Sequence, residues 1–208
     1  AAGSLFDDGR AGNDVSGGAE RFAARYPRVW HVIEADGAGP WLAETGLLPA
    51  GDLHESGSNR DGFRCVALDD GRIAVLRPQQ MPDHRLVPTL AGVFAGRPEL
   101  WRSHVDSHVF FWAEARRRDP FIRACIRLRA SSGPSPVILA IDTAALLARH
   151  GAIAWFATIN TGSTVRGGAR ARRDENTLRP VTDYQMGPVA ELAIRGRVDL
   201  GGIGFGTT

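Results

Sequence analysis

Val137-Ile138-Leu139-Ala140-Ile141-Asp142-Thr143-Ala144-Ala145-Leu146-Leu147-Ala148-Arg149-His150-Gly151 is the stretch of this 208-residue chain whose reading decides the fold class. The unbroken apolar run Val137–Ile141 reads as a buried strand. Asp142 then offers a side-chain acceptor to the free N–H groups of a helix running to His150, and Gly151 ends that helix. Ile153–Ile159 reads as the next strand. Working outward, the strand–helix–strand unit does not repeat. Val29–Ile33, Phe63–Leu68, Ile73–Arg77, His108–Trp112 and Val189–Ile194 read as short strands. Asp69-Asp70-Gly71-Arg72 makes a hairpin turn between the second and third of these. Ala19–Tyr26, Val87–Ala95 and Pro120–Ala130 read as helices, the last opened by Asp119-Pro120. Gly37–Leu47 reads as a helical turn region closed by Gly46. Many short strands mixed with a few helices, without βαβ regularity, give an α+β domain over residues 19–208. The Gly- and Asp-rich residues 1–18 read as a flexible tail.

Composition narrows the function classes. The apolar fraction of 43% suffices for a sizeable core. The richest apolar stretch is broken by Asp142 and Thr143, which excludes a membrane-spanning helix there. No signal-peptide pattern opens the chain and the reading is a cytoplasmic protein, while the start at Ala1 without a methionine leaves a removed leader as the alternative. Cys65 and Cys125 both have apolar neighbours and read as reduced core thiols. The six histidines show no metal-ligand spacing, so no metal is expected. Net charge is +2, yet residues 59–208 carry 21 arginines against 14 acids, and every basic residue is arginine. Arginine's planar fork suits phosphate, so a phosphate-bearing partner is permitted.

Four features hold chemistry. Glu191 lies mid-strand with Val189 and Ala193 on its face; such a carboxylate either faces solvent, the commoner outcome, or points into a cleft. His31 shares a face with Val29 and Ile33 and reads either as a satisfied core histidine or as a ligand contact. Arg77 is in phase with Ile73 and Val75, a placement that calls for an anionic partner, either an acid or a ligand. The long unpatterned stretch from Asn160 to Pro188 carries Arg166, Arg170, Arg172, Arg173 and Arg179 against Asp174 and Glu175, with Tyr184 its nearest aromatic. It reads as a solvated surface or a phosphate-gripping loop. Gly201-Gly202-Ile203-Gly204 opens no helix and is no dinucleotide fingerprint.

Several segments together resemble the DarT-type DNA ADP-ribosyltransferases. They are Val29-Trp30-His31-Val32 with Trp41-Leu42-Ala43-Glu44-Thr45-Gly46-Leu47-Leu48, then Leu76-Arg77-Pro78-Gln79-Gln80-Met81, Ser107-His108-Val109-Phe110-Phe111-Trp112, Ile159-Asn160-Thr161-Gly162-Ser163-Thr164 and Val189-Ala190-Glu191-Leu192-Ala193-Ile194. The likeness covers roughly residues 26–200 and is that of a related branch. It implies an ADP-ribosyltransferase-like fold of two small packed β-sheets with flanking helices, and NAD as the donor substrate without a metal. It makes Glu191 catalytic and gives His31 and Arg77 to NAD. Arg166, Arg170, Arg172, Arg173 and Tyr184 would then face the acceptor, a nucleic acid, single-stranded by preference. A toxin with a neutralising antitoxin fits the same likeness. One segment departs from the pattern: Trp112 leads into Ala113-Glu114-Ala115-Arg116-Arg117-Arg118 rather than a Pro-Arg-Ser segment. The rival readings are an ADP-ribosyltransferase acting on protein or a small molecule, an NAD glycohydrolase, and a non-catalytic nucleic-acid-binding module.

Overall fold

The computed structural model describes residues 15–34, 46–79, 81–128, 136–164 and 170–207. The Asp142-capped unit forms as read. Strand β5 (Pro136–Asp142) leads into helix α5 (Thr143–His150), and Asp142 Oδ1 accepts from the Ala145 N–H at 2.8 Å. The preceding elements are α1 (Val15–Arg25), β1 (Arg28–Glu34), the hairpin β2 (Arg64–Ala67) and β3 (Ile73–Leu76), α2 (Asp83–Leu86), α3 (Pro98–Asp106), β4 (His108–Trp112) and α4 (Ala115–Leu128). After α5 come β6 (Ala154–Ala157), β7 (Arg179–Pro180), β8 (Glu191–Arg195) and β9 (Phe205–Thr207).

The fold is α+β, and the strand pairing differs from the expected two packed sheets. One seven-stranded sheet has the order β7-β6-β8-β4-β1-β5-β9, and β2-β3 stands apart as a two-stranded hairpin. Every pair is antiparallel. The large sheet is nonetheless two blocks. β1 follows β5 over its whole length, from Arg28 opposite Asp142 to Glu34 opposite Pro136, and β4 follows β8 from His108 opposite Arg195 to Trp112 opposite Glu191. Between β1 and β4 the paired position is Trp30 opposite Trp112. Alternation reveals a strand but not its neighbour, so pairing of this kind is not readable from the chain.

Under the sheet, α1 and α5 cover a core of Phe22, Tyr26, Val29, Phe111, Leu139, Ile141, Leu146, Phe156, Tyr184, Leu192 and Ile194, drawn from both blocks. A second cluster of Met81, Leu86, Phe94, Trp101 and Val105 packs with Phe110.

Several local expectations are corrected. Helix α1 starts at Val15, inside the stretch read as tail. Helix α4 starts at Ala115 and carries Pro120 inside it. Glu114 accounts for the earlier start, because its carbonyl accepts from the N–H groups of Arg117 at 3.1 Å and Arg118 at 3.2 Å. Pro120 then removes one helical donor in the second turn, a cost a first-turn proline escapes. Val87–Ala95 forms 3₁₀ turns at Val87–Thr89 and Gly92–Phe94, not one helix. Cys65 is exposed on β2, because the small hairpin has no layer over that face, and the Cys125 side chain lies outside the described residues. The hairpin turn is as read: Gly71 takes φ +81°, and Asp70 Oδ1 accepts from the Arg72 N–H at 3.1 Å. Gly46 adopts φ +65° against the Val198 carbonyl, a place no side chain could occupy; the turn read before it lies largely outside the described residues. Among the described residues no helix is long and apolar enough to cross a membrane.

Candidate active site

Glu191 opens β8 in the interior of the sheet, between Trp112 of β4 and Ala157 of β6. The Ala190 backbone locks the entry: its N–H donates to Ala157 O at 2.8 Å, and its carbonyl accepts from the Ala113 N–H at 3.1 Å. The side chain is 4% exposed, so the edge-strand, solvent-facing alternative is excluded. Four residues beyond β6, the buried Thr161 turns back onto it. The Thr161 N–H donates to Glu191 Oε2 at 3.0 Å, and the Thr161 hydroxyl donates to the same oxygen at 2.8 Å. Among the described residues Oε1 accepts no hydrogen bond, and Glu191 lines the main cleft of the molecule. Burial pushes the carboxyl up to about 7, against the opposing pull of the Thr161 bonds, Arg173 and Arg117.

The cleft has a volume of about 1170 Å³, at or above the upper end of small-ligand sites, which run roughly from 300 to 1,000 Å³. It brings Glu191 together with His31 and Arg77, as well as Asn160, Thr161 and Ser163.

His31 sits where β1 and β4 part. Its Nδ1–H donates to Phe110 O at 2.8 Å, and its ring lies 5.5 Å from that of Phe111. Burial, and then the neighbouring Arg77 charge, lower its pKa to about 4. The imidazole is therefore neutral at pH 7, and with Nδ1 committed as donor, Nε2 carries an acceptor lone pair. Arg77 is half-buried, donates through Nη2 to Val32 O and stands 5.2 Å over the Phe121 ring. Arg77 follows β3 directly, one residue past its end, and its place beside His31 leaves the choice between an acid and a ligand open.

The residues read as acceptor-binding do not form one surface. Arg170 is exposed, and Arg172 is exposed and pairs with Asp174 at 3.1 Å. Arg173 is fully buried and directs both Nη atoms to protein oxygens, with Nε buried and without a partner among the described residues, so it cannot grip an acceptor. Tyr184 is 1% exposed, its ring packed on Phe22 and Phe156 and its hydroxyl donating to Gly187 O at 3.0 Å, which leaves no face for a base. Arg166 lies outside the described residues. Helix α4 brings Arg116, Arg117 and Arg127 to the cleft, with Phe121 among them; Arg60, Arg72 and Arg197 line it from elsewhere. Arg116 and Arg117 belong to the segment that departs from the DarT-type pattern. Residue pattern alone gives Thr161 no role; its sequence signal is the Asn160-Thr161-Gly162-Ser163 turn just past an apolar strand.

Among the described residues no group of three or more His, Cys, Asp or Glu side chains is placed to hold a metal ion. The sequence profile described as "Family of unknown function (DUF7002)" matches residues 27–199. The chain belongs to that family. No curated protein and no solved structure matches the chain. The part of the chain that matches DUF7002 holds His31, Arg77, Thr161, Arg173 and Glu191, that is, the whole constellation described above.

Proposed function

We propose that the protein is an NAD-dependent ADP-ribosyltransferase with Glu191 as its catalytic carboxylate. The observation that carries the reading is Glu191 itself: a carboxylate buried in the sheet, gripped through Oε2 alone, with Oε1 left to the cleft. Departure of nicotinamide breaks the glycosidic C–N bond, and nicotinamide leaves with the electron pair. Positive charge develops on the ribose, as in glycoside hydrolysis, and an anionic oxygen beside it stabilises that charge. The acceptor atom then bonds to the anomeric carbon and loses its proton. A carboxyl poised near neutrality is suited to take that proton.

The other groups fit the same substrate. Arg77 offers positive charge beside His31 for the pyrophosphate. Neutral His31 offers Nε2 to a ribose hydroxyl. The arginines of α4 at the cleft favour a phosphate-bearing acceptor, hence a nucleic acid, over a neutral one.

The test is incubation with labelled NAD alone and with single-stranded DNA, RNA or total protein. Nicotinamide release and label transfer to a nucleic acid are expected. Glu191→Gln should lower release at least about 100-fold, the effect of removing an electrostatic stabiliser. Label found on protein, or only free ADP-ribose, replaces the acceptor; release unchanged in Glu191→Gln sinks the assignment.

A further inference from the structure

Arg173 is a guanidinium with 0% exposure. Its backbone is stitched to the segment after α2: its N–H donates to Thr89 O at 2.8 Å, and its carbonyl accepts from the Ala91 N–H at 2.9 Å. From there the side chain reaches across to the turn that holds Glu191. Nη2 donates to Ser163 O at 2.7 Å and Asn160 O at 3.3 Å, while Nη1 donates to Ala171 O at 2.8 Å and the Thr89 hydroxyl at 3.2 Å. Asn160 O and Ser163 O bracket Thr161, whose N–H and hydroxyl both bond Glu191.

Carbonyls satisfy a guanidinium's donors but do not neutralise its charge. A buried charge left uncompensated costs several kcal/mol, so a structure that retains one has an anion within electrostatic reach. Among the described residues no carboxylate lies within ion-pair distance of Arg173, and the acid whose charge bears on it is Glu191. Among the described residues the charges that bear on Glu191 include Arg173 from this segment and Arg117 from α4. The strand neighbours Trp112 and Ala157 carry none.

We propose that Arg173 is the positioning residue of the site, fixing the Asn160–Ser163 turn so that Thr161 grips Oε2, and supplying a buried positive charge that partly offsets the cost of an anion at Glu191. The role rests on reading Glu191 as the reacting carboxylate. Arg117 adds to the same field, but it is bound to Glu114 at 3.3 Å, so its charge is shared. Arg173 has no such competitor among the described residues.

The experiment has two arms. Isotope-labelled glutamate lets the Glu191 carboxyl be titrated by ¹³C NMR in the intact protein, with no need for activity. Arg173→Gln is expected to raise its midpoint by about one pH unit, at the low end of what a nearby opposite charge contributes. Arg172→Gln, which removes an exposed neighbour, should leave it in place. In the second arm the acid limb of NAD turnover should move up by the same amount, with a loss of about fivefold at pH 7 that is recovered near pH 9. A merely structural arginine would lower the whole profile without moving its limb. Should Arg173→Gln fail to fold, Arg173→Lys decides: the retained charge should hold the midpoint within about half a unit of wild type, while turnover falls because the fork across Asn160 and Ser163 is gone. An unmoved midpoint in folded Arg173→Gln, or a full-unit rise in Arg173→Lys, overturns the role. Wild-type protein that releases no nicotinamide at any pH would sink the transferase reading and leave the titration arm standing.

Discussion

Asp106 and Glu191 are both buried carboxylates, at 1% and 4% exposure, and the molecule treats them in opposite ways. Asp106, at the end of α3, uses both oxygens on the protein. Oδ1 takes Arg60 Nη1 at 3.0 Å and Gln79 Nε2 at 3.2 Å, while Oδ2 takes the Gly57 N–H at 3.4 Å and faces His54 Nε2 at 3.3 Å. It has a direct ion pair and closes the loop of residues 54–60 onto the helix. Both line the cleft, but Glu191 has two bonds to one oxygen and no direct ion pair among the described residues. The first arrangement uses a carboxylate's capacity to hold structure. The second leaves part of that capacity unspent, and strongly perturbed groups in clefts mark functional sites.

Mutation should separate the two most sharply through stability. Asp106→Asn leaves Arg60, itself 6% exposed, buried opposite a neutral amide. Breaking a buried pair on one side costs about 3–5 kcal/mol, and chemical denaturation should read a loss of that order. If Asp106→Asn is as stable as wild type, the cluster is no structural clamp and the contrast collapses.

Glu191→Gln should behave in the opposite sense. The folded-state pKa of Glu191 lies near 7, above its ordinary 4.5. Its protonated form is therefore the one the fold favours. Its contribution to stability is complete below pH 4.5 and is lost as pH rises through 7. The glutamine variant escapes that loss, so its stability relative to wild type should climb between about pH 4.5 and pH 7. The climb is at most about 3 kcal/mol, the free-energy equivalent of the shift. Urea midpoints at several pH values measure it. A difference that stays flat with pH would mean the carboxyl titrates as in water and is not desolvated.

The smallest effect is expected on the surface. Arg172→Ala removes an exposed pair with Asp174, and such pairs contribute about 0–1 kcal/mol. A larger loss in thermal unfolding would show that the 170–174 segment bears structural weight beyond Arg173.

What the chain disclosed in advance was mostly local. The capped helix α5, the hairpin around Gly71 and the strand β4 each carry their signal within a few residues, in a cap, a turn or an alternation. Helix α3 carried one too, with Pro98 at its first position and Glu99 in its first turn. It went unread because its buried face holds Arg102 and Asp106 beside Trp101 and Val105, which breaks the apolar stripe. The burial of Glu191 was out of reach for a different reason. Its strand is apolar on both faces, and what decides its environment is two neighbouring strands and Thr161, 30 positions away. Arg173 shows the same limit from the other side. In the sequence it is one arginine of a run; in the fold, a backbone bridge to Leu90 draws it inside while Arg172 stays out.

The seam between β1 and β4 has a consequence for the shape of the cleft. With Trp30 opposite Trp112 and one imidazole-to-carbonyl bond across it, the sheet is joined there less edge to edge than from beneath, as a veneer is held by its backing. Val29, Leu139 and Ile141 from one block meet Phe111, Phe156 and Leu192 from the other in a single close-packed layer. The aperture above therefore depends on side-chain volumes in that layer. Trimming Phe111, which packs in that layer and also lines the cleft beside the His31 ring, would widen the mouth without removing a polar group.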